Sequence, residues 1–336
     1  TSGSGFTILQ LNDVYKLEGL EAGRVGGLAR VRAWRRRVEA EGKPVLMLHA
    51  GDFLFPSVMS KYLLGEPMID GLNRMDGDAD FDPNLLVVFG NHEFDFADPG
   101  LLLGRFAQSD FTWLATTLRY RSGGEGAPAP LTTRLPNVVP ARLLDLGGIR
   151  VGLLGLTLDY ETRPWLDYGF SPGERKAAVR SAIDGLLKAG AEFLVAVTHQ
   201  GLDQDCEFAR DFPELRLVVG GHEHVGLLER QGATWISKAD ADARTLVRID
   251  VLRESGGTIA VRHTPVVLDS TVAPDPVQDA ITQNWLATLG KTVKDRTGRD
   301  LAAVVATTEH AREGIEPVIR TRESALGTFL AAVLRD

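Results

Sequence analysis

Five short apolar runs, each breaking abruptly into polar residues, set the pattern of this chain. Ile8-Leu9-Gln10-Leu11 runs into Asn12-Asp13, Val45-Leu46-Met47-Leu48 into His49-Ala50-Gly51-Asp52, and Leu85-Leu86-Val87-Val88-Phe89 into Gly90-Asn91-His92-Glu93-Phe94-Asp95. Phe193-Leu194-Val195-Ala196-Val197 ends at Thr198-His199, and Leu215-Arg216-Leu217-Val218-Val219 at Gly220-Gly221-His222-Glu223-His224. Short continuous runs of this kind predict strands buried on both faces. In α/β folds ligands bind beyond the carboxyl ends of such strands. The amides, imidazoles and carboxylates that follow each run are therefore candidates for chemistry.

Helical periodicity fills the intervals. Val31, Trp34 and Val38 recur at helical spacing between Leu28 and Val38, and the arginines between them are expected on solvated faces rather than in a nucleic-acid patch. Met59 to Met75 reads as helix with a break at Gly65 and Pro67. Asp76 to Pro83 is acidic and turn-rich; it lacks the terminal Glu and central spacing of an EF-hand and reads as a surface loop. A helix over Asp98 to Gln108, a strand over Phe111 to Ala115, a mobile surface excursion over Ser122 to Pro130 and a hairpin over Leu143 to Leu154 follow. Glu174 to Ala189 is helical and leads into the strand before His199. Past His224 come short β runs at Thr234 to Ser237, Thr245 to Leu252 and Ile259 to Leu268, which suggest a second sheet packed on the first. Pro274 onward is mostly helical, and Arg322-Glu323-Ser324-Ala325-Leu326-Gly327 opens a last amphipathic segment.

Composition narrows the function classes. With 336 residues, 44% hydrophobic and 24% charged, the chain has the make-up of a folded protein. A net charge of −8 and a pI near 5.5 argue against nucleic acid as a partner, though a small phosphorylated ligand is allowed if metal ions supply positive charge. Cys206 is the single cysteine, so no intrachain disulfide forms. No run of 18 apolar residues predicts a membrane span. Thr1 to Gly5 is too polar for a signal peptide and reads as a tag remnant or a cleaved mature end, which leaves the compartment open.

Asp13, Asp52, Asn91, His92, Asp95, His199, His222 and His224 collect at strand ends. Oxygen and imidazole donors without a thiolate suit divalent or trivalent Zn, Mn, Fe or Co. One ion needs three or four of these groups, so the surplus suggests two. His222 and His224 are expected to diverge in an extended segment, so each serves a different ion, or the same ion after a turn. Two ions about 3.5–4 Å apart can hold a deprotonated water and clamp phosphate oxygens during in-line attack. His49 is expected to pack behind the site, while His263, His310 and Cys206 receive no role.

Asp13, Gly51-Asp52, Gly90-Asn91-His92-Glu93, Thr198-His199 and Gly221-His222-Glu223-His224, in that order, resemble the calcineurin-like metallophosphoesterase signature. Gly90 to Asp95 and Glu323-Ser324-Ala325-Leu326-Gly327 are similar to the 5′-nucleotidase branch. The resemblance implies a four-layer αββα fold, two sheets flanked by helices, and two metal ions. It implies that Asp52 bridges the ions, that Asp13 and His224 belong to the first site, and that Asn91, His199 and His222 belong to the second. It implies that His92, oriented by Asp95, faces the leaving group. The family pattern Asp-x-His stands here as Asp13-Val14-Tyr15, so Tyr15 either coordinates as a phenolate, favouring ferric iron, or packs and hydrogen-bonds. The implied domain plan is a catalytic domain over 6–315, with 316–336 starting a truncated C-terminal nucleotidase domain or a linking helix. The residues that hold the nucleoside would then lie outside this chain. The expected activity is hydrolysis of phosphate monoesters, 5′-nucleotides first, by a bridging hydroxide. The alternatives are phosphodiester or 2′,3′-cyclic nucleotide hydrolysis, and a metal-poor binding scaffold.

Overall fold

The computed structural model describes residues 4–78, 80–124, 126–158, 163–167, 172–304, 307–310, 312–314 and 316–335. The chain divides into two compact units, Thr1–Leu289 and Gly290–Asp336.

The five apolar runs become strands of two different sheets in the first unit. A seven-stranded sheet runs in the order Ile259–Val267, Thr245–Arg253, Gly5–Leu11, Val45–His49, Asp82–Val88, Phe111–Leu114 and Val138–Val139. From Gly5–Leu11 onward its pairings are parallel, and Thr245–Arg253 joins antiparallel on the other side. A six-stranded sheet runs Leu227–Gln231, Thr234–Lys238, Leu215–Gly220, Phe193–His199, Ile149–Thr157 and Ala141–Leu146, with only its two edge pairings antiparallel.

Alternation along each strand sorts the side chains between layers. Phe6, Ile8, Leu48 and Val88 of one sheet meet Val151, Phe193, Val195 and Val219 of the other in the central core. On the far side of the six-stranded sheet, Leu194, Ala196 and Val218 pack with Val179 and Ile183 of the helix Pro172–Lys188 and Phe208 of the helix Leu202–Asp211. Behind the seven-stranded sheet, Phe89 stacks on Trp113 with centroids 4.3 Å apart and meets Phe106 of the helix Pro99–Ala107 edge-on. The architecture is the αββα sandwich that the resemblance implied. In the second unit, the Ser324 hydroxyl accepts from Gly327 N–H at 3.0 Å at the start of the helix Ala325–Arg335. No helix among the described residues is long and apolar enough to cross a membrane.

Several local expectations are revised. The β runs after His224 do not make a second sheet of their own. Thr234–Lys238 joins the six-stranded sheet, whereas Thr245–Arg253 and Ile259–Val267 extend the first. Helix Leu202–Asp211 and strand Leu227–Gln231 have no counterpart in the apolar pattern. The excursion after Ser122 carries a small sheet, with Arg119 paired to Pro130 and Leu166 to Tyr120. The long helix does break where expected, into Val58–Leu63 and Glu66–Asn73, with Leu64 and Gly65 left-handed between them.

The arginine face is not solvated throughout. Arg30, Arg32 and Arg35 are buried. Arg30 donates to Gly23 O at 2.6 Å and Asp269 O at 2.9 Å, and Arg32 to Met75 O at 2.6 Å. Arg35 pairs with buried Asp82 at 2.6 Å and with Glu39 at 2.8 Å. Removing one partner strands the other charge in the interior. Arg35→Met should therefore lower the unfolding free energy in urea by about 3–5 kcal/mol; a loss below about 0.5 kcal/mol, the size of an ordinary surface change, would mean the pair does not matter. His263, tilted against Trp235 at 5.4 Å, is held neutral, since burial lowers its imidazole from 6.5 to about 4. Between those values the unfolded chain binds more protons than the folded one, so stability should fall as pH drops from about 6.5. Urea titrations of His263→Gln at pH 7 and pH 5 should show a smaller difference than in the parent, and equal differences would overturn this.

Candidate metal centre

The two sheets contribute different donors to one place. Asp13, Asp52 and Asn91 follow strands of the seven-stranded sheet, and His199, His222 and His224 end or follow strands of the six-stranded sheet. The turns that present them are unusual. Asp13, Asp52, His222 and His224 have φ of 52°, 57°, 90° and 63°, the left-handed region that non-glycine residues rarely occupy. The glycines beside them keep the approach open. A Cβ on Gly90 would lie 2.1 Å from Asp52 Oδ1, and one on Gly221 would lie 2.5 Å from Ala50 O.

All eight residues singled out in the sequence come together. His224 Nε2 lies 3.2 Å from Asp13 Oδ1, and His199 Nε2 lies 3.0 Å from Asp52 Oδ2 and 3.1 Å from Asn91 Oδ1. The His222 ring stands edge-on to His199 at 5.4 Å, and its backbone N–H donates to Asp13 Oδ2 at 2.9 Å. His92 N–H donates to Asp52 Oδ1 at 2.8 Å, and its Nδ1 is 2.7 Å from Asp95 Oδ2. Tyr15 is inside the cluster. Its hydroxyl lies 3.3 Å from Asp13 Oδ1, 3.2 Å from Asp52 Oδ2 and 3.1 Å from His224 Nε2. Burial and the two carboxylates push the phenol well above its usual range, so without a cation it is a neutral hydrogen-bonding hydroxyl.

Electrostatics follow from two buried carboxylates. Among the described residues neither Asp13 nor Asp52 meets a lysine or arginine. Burial would raise the Asp13 carboxyl, but His199, His224 and the His222 N–H hold it well below the usual carboxylate range. Burial likewise opposes the charge on His199, yet Asp52 and Asp13 raise its imidazole to about 10. His222, desolvated and beside His199, is lowered. The donor set therefore suits a cation: Asp13, Asp52 and His199 are all buried, and their ligand atoms lie within 4.8 Å of one another. His49 packs behind them against Phe53 at 5.0 Å, its ring nitrogens without hydrogen-bond partners among the described residues and its imidazole lowered to about 4 by burial.

Glu93 has a role that its place in the motif did not disclose. Fully buried, its carboxylate accepts from Asp52 N–H at 2.8 Å, Phe53 N–H at 2.8 Å, Leu54 N–H at 3.1 Å and also Gly90 N–H. One carboxylate thus ties the turn holding Asp52 to the turn holding Asn91 and His92. Burial and the Asp52 charge raise it to about 7. The sequence offered no separate signal for it, because Glu93 stands in a turn already crowded with Asn91, His92 and Asp95.

Known proteins resemble this chain. The chain is 26% identical over 340 residues to a 5′-nucleotidase of Diplobatis ommata, covering 91% of this chain and 56% of that protein. It is 23% identical over 341 residues to a 5′-nucleotidase of Bos taurus, covering 91% and 57%. The chain thus spans little more than half the length of these relatives. Among solved structures, a 5′-nucleotidase precursor from Thermus thermophilus superposes with a TM-score of 0.75 at 22% identity over 96% of this chain and 65% of that one, which shows a common fold. Residues 6–226, carrying every metal-site candidate, match the family model for calcineurin-like phosphoesterases, and the chain belongs to that family.

Proposed function

We propose that this chain hydrolyses phosphate monoesters, with 5′-nucleotides as the natural class, at a two-metal centre held by Asp13, Asp52, Asn91, His199, His222 and His224. The observation that carries the reading is a buried cluster of carboxylate and imidazole donors with the His92–Asp95 pair beside it. Metal ions bound there would supply the positive charge that activates water and steadies the phosphate oxygens. The protein's own groups divide the remaining work. Asp52, whose Oδ2 lies within reach of both the Tyr15 hydroxyl and His199, would help to hold the ions and neutralise their charge. Asp95 accepts from His92 Nδ1, which supports a role for Nε2 towards the leaving oxygen. Burial opposes a charged His92, but the Asp95 hydrogen bond and the Asp52 charge raise its imidazole, a shift in the direction a proton donor needs. A binding scaffold has no use for such an acid, which favours the enzymatic reading. The nucleotide preference rests on the names of the relatives.

Turnover of p-nitrophenyl phosphate, bis-p-nitrophenyl phosphate and adenosine 5′-monophosphate by the manganese-loaded chain tests this. The monoesters should be cleaved faster, and His92→Ala should lower turnover by about 10²-fold or more with metal content intact. Faster cleavage of the diester would overturn the monoester assignment, and unchanged turnover in His92→Ala would overturn the role of that residue.

A further inference from the structure

Lys238 ends the strand Thr234–Lys238 with its side chain 1% exposed. A lysine ammonium at that depth is tolerated only when its donors are met. Its Nζ lies 2.7 Å from Gln200 O, 2.9 Å from Gly221 O and 2.9 Å from Asp205 Oδ2, and it also pairs with the Glu223 carboxylate. The two carbonyls belong to the residue directly after His199 and the residue directly before His222. Glu223 sits between His222 and His224, and its other oxygen accepts from Leu202 N–H at the start of the helix Leu202–Asp211. Asp205 of that helix accepts in turn from Thr198 Oγ1 at 2.7 Å and Gln200 Nε2 at 2.9 Å.

One buried ammonium therefore fastens the strand end that carries His199 to the turn that carries the other two histidines. That turn needs fastening. His222 and His224 have φ of 90° and 63°, a conformation that persists only when surroundings over-determine it. His222 stands beside His199, and His224 beside Asp13 and Tyr15. This separation is a product of the turn and not of extended backbone, which would place residues two apart on one face, with the two rings side by side.

We propose that Lys238 is a positioning residue: through Glu223 and the carbonyls of Gln200 and Gly221 it holds the three histidines in register and so sets the affinity of the centre for its cation. The proposal rests on the metal reading above and adds a residue outside the proposed ligand set.

Equilibrium dialysis of the metal-stripped chain against Mn²⁺ tests it without recourse to activity. Lys238→Met and Glu223→Gln should each weaken Mn²⁺ binding about 10- to 100-fold, the usual effect of losing a partner behind a ligand. The double variant should bind about as weakly as Lys238→Met alone, because both act through one link. Arg35→Met, which breaks a buried ion pair elsewhere, is the control for general loss of stability and should bind Mn²⁺ like the parent. Should Lys238→Met fail to fold, Glu223→Gln decides, since its side chain is 26% exposed. Parent-like affinity in Glu223→Gln, or equal weakening in Arg35→Met, overturns the positioning role. A parent chain that takes up no Mn²⁺ overturns the metal reading itself, and this proposal with it.

Discussion

Two carboxylates, Asp13 and Asp52, are buried together with no lysine or arginine to offset them among the described residues, and much of the molecule is arranged around that cost. Anions in a protein interior survive only with close partners. Here the partners are imidazoles, main-chain N–H groups and the Asn12 amide, which donates to Asp13 at 2.8 Å. The same shortage of fixed positive charge suits the cluster to a cation. Its cohesion with a metal and its tension without one have a single origin.

The sandwich explains how such a site is held still. One sheet supplies the oxygen donors and the other the imidazoles, so the centre forms only where the carboxyl ends of both sheets converge over the shared core of Phe6, Ile8, Val195 and Val219. Hydrocarbon packing fixes the distance between sheets, and polar ties correct the final angles. Glu93 gathers the turns of the first sheet, and the Lys238 network gathers those of the second. The aromatic pile of Phe89, Phe94, Phe106 and Trp113 supports the turn carrying His92 from behind.

Much of this was legible in the sequence because a strand buried on both faces has to be continuously apolar, and the polar residues that interrupt it stand out. Asp13, Asp52, Asn91 and the three histidines were visible for that reason. What escaped notice depends on partners distant in the chain. Arg35 looks like a solvated helix residue until Asp82 is brought beneath it. The helix Leu202–Asp211 is masked by its acidic composition, with Phe208 and Ala209 among its few buried residues. The assignment of Thr245–Arg253 to the first sheet cannot be read locally, because its partner is at the other end of the unit. Tyr15 remained open between two roles because the difference lies in where one hydroxyl points.

The strand Gly5–Leu11 has Val45–His49 on one side and Thr245–Arg253 on the other. During synthesis its first neighbour emerges early, but the second follows only some two hundred residues later, on the order of 10–40 s at about 5–20 residues/s. Through that interval a largely apolar strand has an open hydrogen-bonding edge, the kind of surface that invites mispairing between nascent chains. Made before either neighbour, it ties the solubility of the newborn polypeptide to the arrival of a distant hairpin.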